Sequence, residues 1–94
     1  MPTHEESPEF WRLFDDLTEE QKQRFRGAVR RFVTDLRRGS FRRGLRVKGI
    51  ALWPGMFEMT WAPDGRAVFS YGEPIEEGEP HIIWHAVGTH DVLP

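Results

Sequence analysis

His81-Ile82-Ile83-Trp84-His85-Ala86-Val87-Gly88-Thr89-His90-Asp91-Val92-Leu93 is the stretch that decides the fold. Ile82, Ile83, Trp84, Ala86 and Val87 make a mostly apolar run rich in β-formers, and Gly88 interrupts it. The spacing predicts a strand over residues 81–87, ending at the glycine. Thr89-His90-Asp91, a short polar cluster, follows at once. A strand end is a rigid platform, so a titratable side chain held there is well placed for chemistry.

Ahead of this strand, residues 72–80 carry four glutamates and two prolines and read as an acidic loop. Before it, residues 66–71 form another strand, introduced by the tight hairpin turn Pro63-Asp64-Gly65. Residues 56–62 alternate, with Phe57, Met59 and Trp61 on one face and Met56, Glu58 and Thr60 on the other. Trp53-Pro54-Gly55 is a further turn signal. Earlier still, Leu45 and Val47 face one way and Arg46, Lys48 and Ile50 the other, which predicts the first strand of a four-stranded meander.

Upstream of Ser40 the apolar period changes to 3.6. Phe25, Ala28, Val29, Phe32, Val33 and Leu36 form an unbroken stripe with arginines on the other sides. Thr18-Glu19-Glu20-Gln21 is a capping box that starts this helix, and Gly39 stops it. A shorter helix precedes it, capped by Ser7 with Pro8 in its first turn and carrying Phe10, Leu13, Phe14 and Leu17 on one face. The expected fold is α+β: an N-terminal helical hairpin packed on a four-stranded antiparallel twisted sheet. The domain reading is a flexible tail over residues 1–7 and a single domain over 8–94.

Ninety-four residues suit one domain with a modest core, and four Trp and seven Phe supply much of the burial. There is no cysteine, which excludes a disulfide framework and a thiolate metal site. No apolar run approaches membrane-spanning length and no signal-peptide pattern is present, so the expected setting is cytoplasmic, away from any membrane. A net charge of −2 conceals an asymmetry: Lys22 to Lys48 holds eleven basic residues and one acid, Asp35, a balance of +10. Such a basic centre between acidic ends points to a polyanion or an acidic protein as partner. A solvated helix face accounts for the helix arginines equally well. It accounts less well for Arg42, Arg43, Arg46 and Lys48, which cluster beyond the helix.

There is no phosphate-binding glycine loop, no dinucleotide fingerprint and no metal quartet, so neither a cofactor nor a metal is expected. Among the histidines, His4 falls in the tail, His81 at a strand start, and His85 on the face opposite Trp84 and Ala86. His90 sits just beyond the strand end, and a histidine titrates near neutrality, suited to proton transfer. The plainer reading is a structural histidine. Arg66 opens its strand after a tight turn and could grip a phosphate bidentately, or pair with Asp64 in the hairpin. Lys48 could neutralise a phosphate. Glu58 could serve as a base or be an exposed strand residue.

Three motifs taken in order resemble the RelE/ParE toxin superfamily of bacterial type II toxin–antitoxin systems. They are Leu45-Arg46-Val47-Lys48-Gly49 after a helical hairpin, Gly65-Arg66-Ala67-Val68-Phe69-Ser70-Tyr71, and the closing Trp84–Leu93 stretch. The Gly-Arg strand and the Ala-Val-Gly ending resemble the RelE branch, and Gly88-Thr89-His90 is similar to its YafQ-type members. The resemblance implies a ribosome-dependent mRNA interferase that cleaves A-site codons without a metal, leaving a 2′,3′-cyclic phosphate. It places His90 at the catalytic histidine, Arg66 at the phosphate-binding arginine and Asp64 near an acidic residue that some members use. Glu58 is a further acid–base candidate. Lys48, Arg46, Arg43, Arg42 and His85 would contact RNA. The implied partners are a cognate antitoxin, forming a hetero-oligomer, and the ribosome with its mRNA.

Two departures stand out. Glu58 and methionines occupy the strand where RelE has a lysine pair, and no strand is expected before the helices, where many relatives have one. Two other readings remain open: a ParE-like or degenerate toxin that binds a protein such as DNA gyrase, and a basic RNA-binding domain without toxicity.

Overall fold

The computed structural model describes residues Met1–Pro94. Ser7 caps the first helix, α1 (Pro8–Asp15), its Oγ accepting the Phe10 N–H at 3.0 Å. The capping box of α2 (Glu19–Arg38) forms in full. The Thr18 N–H donates to Gln21 Oε1 at 2.8 Å and the Gln21 N–H to Thr18 Oγ1 at 3.1 Å. Gly39 ends α2 at φ 87°, a left-handed conformation that glycine adopts without a Cβ penalty.

Both helices lie on one face of a five-stranded mixed sheet. Its strands are β1 (Thr3–Glu6), β2 (Lys48–Gly49), β3 (Phe57–Ala62), β4 (Gly65–Gly72) and β5 (His81–Thr89), in the order β1-β5-β4-β3-β2. The core between the layers is largely aromatic. Phe25 of α2 meets Trp61 and Trp84 edge-on, and Phe32 meets Phe69 edge-on at 4.9 Å between ring centroids. Phe10 and Phe14 of α1 close the end of this cluster against Phe25.

The α+β class and the helix-on-sheet arrangement agree with the sequence reading; four details do not. The expected tail contains β1, which pairs in parallel with β5 from Thr3↔His81 to Glu6↔Trp84. The sheet therefore has five strands and one parallel pair, and a strand does precede the helices. The polar residues of β1 carry no local β signal; pairing with a central strand compensates. The expected first meander strand shrinks to two residues, because Arg43–Leu45 form a 3-10 turn and Arg46 takes a left-handed φ of 47°.

The other two differences concern β5. It runs through Gly88 to Thr89, with Gly88 opposite Arg66 and Thr89 opposite Gly65. The glycine serves packing instead: a Cβ there would lie 2.9 Å from Val92 Cγ1, in the 3-10 turn His90–Val92 that folds back onto the strand. The register also slips between Val68↔Ala86 and Phe69↔Trp84, a bulge that leaves His85 without a partner in β4. His85 and Ala86 consequently share a face, where strict alternation would have separated them.

Candidate nucleic-acid interface

The face of the sheet away from the helices carries the candidate residues, and the pairing registers order them into rows. Lys48 lies opposite Glu58, Glu58 opposite Val68, and Val68 opposite Ala86. In the next row Thr60 lies opposite Arg66, and Arg66 opposite Gly88. Beyond that row Gly65 pairs with Thr89, so the turn bearing Asp64 and the strand end bearing His90 are neighbours. Thr60 and Arg66 thus share the open face and His90 follows at the adjoining strand end, whereas Asp64 and Thr89 line a pocket with Glu20, Gln21 and Arg24 of α2 on the helix side. Glu58 and Lys48 stand one row away as direct cross-strand partners of opposite charge.

Arg66 is partly committed. Its Nη1 donates to the backbone oxygens of Gly65 at 2.9 Å, Pro63 at 3.3 Å and Ala62 at 3.4 Å, folding the guanidinium over its own hairpin. It binds carbonyls there, and not the Asp64 carboxylate. Asp64 and His90 are both exposed.

His85 is half-buried and its Nε2 lies 2.7 Å from Ser70 Oγ. Burial lowers the His85 pKa, with Glu5 opposing that shift, which favours a neutral imidazole near neutrality. A third histidine lies on the same face: His81 is buried, with Nδ1 2.7 Å from Thr3 Oγ1 and Nε2 2.8 Å from Glu5 Oε1. These bonds fasten β1 to the sheet.

Arg42, one of the residues expected to contact RNA, is paired with Asp35. Its Nε and Nη2 donate to the two carboxylate oxygens of buried Asp35, each at 2.8 Å, and its backbone N–H donates to Asp35 Oδ2 at 2.8 Å. These donors hold the Asp35 carboxyl at about 2, well below the usual carboxylate range. The pair pins the chain leaving α2. Arg43 and Arg46 are exposed on the 3-10 turn and its cap, and Lys48 is exposed on β2.

Sequence reasoning names neither Thr60 nor Ser70 as a candidate site residue. Alternation already puts Thr60 beside Glu58, so its place is legible; the Ser70–His85 bond is not, because the bulge sets it. No group of three or more His, Cys, Asp or Glu side chains is placed to hold a metal ion, and no helix is long and apolar enough to cross a membrane.

No protein-family model and no curated protein matches the sequence. Solved structures do match. A copper-bound mutant toxin from Helicobacter pylori superposes with a TM-score of 0.69 at 15% identity, covering 100% of both chains. YafQ from Escherichia coli BL21(DE3) matches with a TM-score of 0.66 at 13% identity, over 98% of this chain and 97% of the other. The fold is that of a YafQ-like toxin. YafQ within the E. coli DinJ–YafQ toxin–antitoxin complex gives a TM-score of 0.67 at 14% identity, covering 98% and 96%. At these identities the likeness concerns the fold; the chemistry of this YafQ-like sheet has to be argued from its own side chains.

Proposed function

We propose that the chain is the toxin of a type II toxin–antitoxin pair and acts as a metal-independent, ribosome-dependent mRNA endoribonuclease in the cytoplasm. The observation that carries this reading is the pairing of Arg66 with Gly88 and of Gly65 with Thr89. It brings the turn that bears Asp64 and the strand end that bears His90 next to each other, beside Arg66, at one end of the sheet. The solved toxins of the same fold, one of them in a toxin–antitoxin complex, support the biological setting.

In-line cleavage of RNA needs only such groups. The 2′-hydroxyl oxygen bonds to the adjacent phosphorus, the bond from phosphorus to the 5′-oxygen breaks, and a cyclic 2′,3′-phosphate remains. One proton leaves the 2′-hydroxyl for a base and one reaches the departing 5′-oxygen from an acid. His90 takes one of these roles, with Asp64 or Glu58 the candidate for the other. The Nε and Nη2 of Arg66, together with Lys48, face the charge that develops on the phosphorane oxygens. Arg46, Arg43 and His85 extend the RNA-contacting surface, and a cognate antitoxin restrains the toxin as a hetero-oligomer.

One observation favours a second reading. The Arg66 Nη1 is occupied by the hairpin carbonyls of Ala62, Pro63 and Gly65. A protein-binding toxin directed at a target such as DNA gyrase needs no phosphate-gripping pair. Primer extension on programmed ribosomes separates the two. Cuts within A-site codons carrying cyclic-phosphate ends establish the nuclease. Intact mRNA together with a DNA-damage response on expression moves the assignment to the protein target.

A further inference from the structure

Away from the reaction site, the open face holds a carboxylate that is fixed in place and only half used. His81 is 4% exposed and both of its ring nitrogens are bonded. A carboxylate only accepts, so His81 Nε2 carries the proton given to Glu5 Oε1, and in the neutral ring Nδ1 accepts from the Thr3 hydroxyl. This bond anchors a Glu5 side chain that is otherwise 60% exposed, and Oε2 keeps no partner within the chain. A buried imidazole thus holds one carboxylate oxygen while the other stays open.

The pairing registers show what surrounds that oxygen. Glu5 lies opposite Ile83, and Ile83 opposite Ser70, a row across three strands that separates Glu5 from Ser70 by roughly 10 Å. Ile83 is half-buried and floors the row. It leans with His81 over Gly72, where a Cβ would lie 2.9 Å from Ile83 Cδ1 and 2.8 Å from His81 Cδ2. His85, turned to this face by the bulge and bonded to Ser70, closes the side toward Gly88. Glu5 is near enough for its charge to act on the His85 ring. An apolar floor between an unsatisfied acceptor and an imidazole is the arrangement that recognises an unstacked nucleobase by its face and its edge. Ile83 precedes Gly88, the partner of Arg66, by five residues, a rise of roughly 17 Å. A base held here therefore belongs to a different nucleotide from the one whose phosphate meets Arg66.

We propose that Glu5, Ile83 and His85 form a subsite for one base of the bound RNA, which lies on Ile83 beside the His85 ring and donates a hydrogen of its exocyclic amino group to Glu5 Oε2. Adenine, cytosine and guanine carry such a group. Uracil presents a carbonyl oxygen in its place, which meets the carboxylate acceptor to acceptor and is refused. The cations of the open face attract any RNA alike, whereas this carboxylate repels the backbone and rewards only a donor, so its effect is choice of sequence. The inference rests on the reading that the open face takes RNA, and adds a base preference set at a distance from the reaction.

The test measures binding of two uncleavable 2′-O-methyl RNA hexamers, all cytidine and all uridine, to the intact chain by fluorescence anisotropy. The two bases have the same size and differ in the amino or carbonyl group that Glu5 meets. The cytidine hexamer should bind at least about tenfold more tightly. Glu5→Gln, shown folded by circular dichroism, keeps an oxygen for His81 and turns an amide N–H₂ toward the base, so the preference should vanish or reverse toward uridine. Lys48→Ala should weaken both hexamers alike. The histidine ring signals in NMR locate the base: those of His81 and His85 should shift with cytidine, and that of His4, on the helix side, should not. Equal affinities in the wild type, binding of neither hexamer, a preference unchanged in Glu5→Gln, or shifts that spare both His81 and His85 overturn the proposal. Ribosome-dependent cleavage is measured on the same preparations. Base preference without cleavage retains this inference and removes the nuclease reading; cleavage without base preference does the reverse.

Discussion

Asp35 is the one acid in the basic stretch from Lys22 to Lys48, and its surroundings explain why it is tolerated there. Three hydrogen bonds from Arg42 satisfy both oxygens of a carboxylate that is fully buried. Breaking such a pair leaves a buried charge uncompensated, which costs far more than the intact pair contributes. The carboxyl is held at about 2, below its ordinary value of 3.8. Its contribution to stability is therefore complete above that ordinary value and lost as pH falls toward 2. Asp35→Asn should lower the urea midpoint clearly at pH 6, and the gap to wild type should narrow at pH 2.5. A gap that stays constant with pH would show that the carboxylate's charge is not what the site uses. The charge anomaly at Asp35 was legible in the sequence, but its burial was not, because Arg42 reaches it only after the chain has turned past Gly39.

Among the helices, strands and turns, what is locally encoded is what the sequence makes legible. Thr18 with Gln21, Ser7 with Pro8, and the Pro63-Asp64-Gly65 turn each determine structure within a few residues of themselves, and each forms as expected. The strand β1 was not legible, since its partner His81 lies 78 residues away and Thr3-His4-Glu5-Glu6 has no apolar periodicity. The bulge at His85 was equally hidden: no residue type marks it, yet it decides which face His85 occupies. Gly65 shows the limit of reading a turn glycine as a turn glycine. Trp61 stacks against it and donates its indole N–H to Arg66 O at 2.9 Å, and a Cβ at Gly65 would lie 2.6 Å from the ring. Gly65→Ala should cost roughly 1–3 kcal/mol through forced displacement of Trp61. Denaturant unfolding followed by Trp fluorescence measures it, and an unchanged midpoint would show that the ring moves freely. Because this contact also sets the Asp64 turn against Thr89, the same substitution should slow any cleavage.

Over the entire fold, two surfaces divide the unpaired cations. The open sheet face carries Arg66 and Lys48, with His90 just past its strand end, and the helix side carries a groove with Arg26 and Arg30. The basic centre that the sequence displays as one block is thus partitioned. Arg42 and Arg38 serve Asp35, Arg24 pairs with Glu20 and Lys22 with Glu19, and the other cations of the stretch belong to no ion pair. If the open face binds RNA, the logarithm of affinity for a single-stranded oligonucleotide should fall linearly with the logarithm of salt. Lys48→Ala should reduce that slope by about 0.7, as expected for one lost phosphate contact on a single strand. Arg12→Ala, on α1 and paired with Glu9, should leave it unchanged. Equal slopes for wild type and Lys48→Ala would remove β2 from the RNA path.

The proposed chemistry stands or falls at the end of β5. The decisive comparison is the single-turnover rate of mRNA cleavage on ribosomes by wild type and by His90→Ala, both verified as folded. Loss of a positioned acid or base predicts a rate at least about a hundredfold lower in the variant. Cleavage by His90→Ala at the wild-type rate would contradict the assignment and place the reaction elsewhere on the sheet.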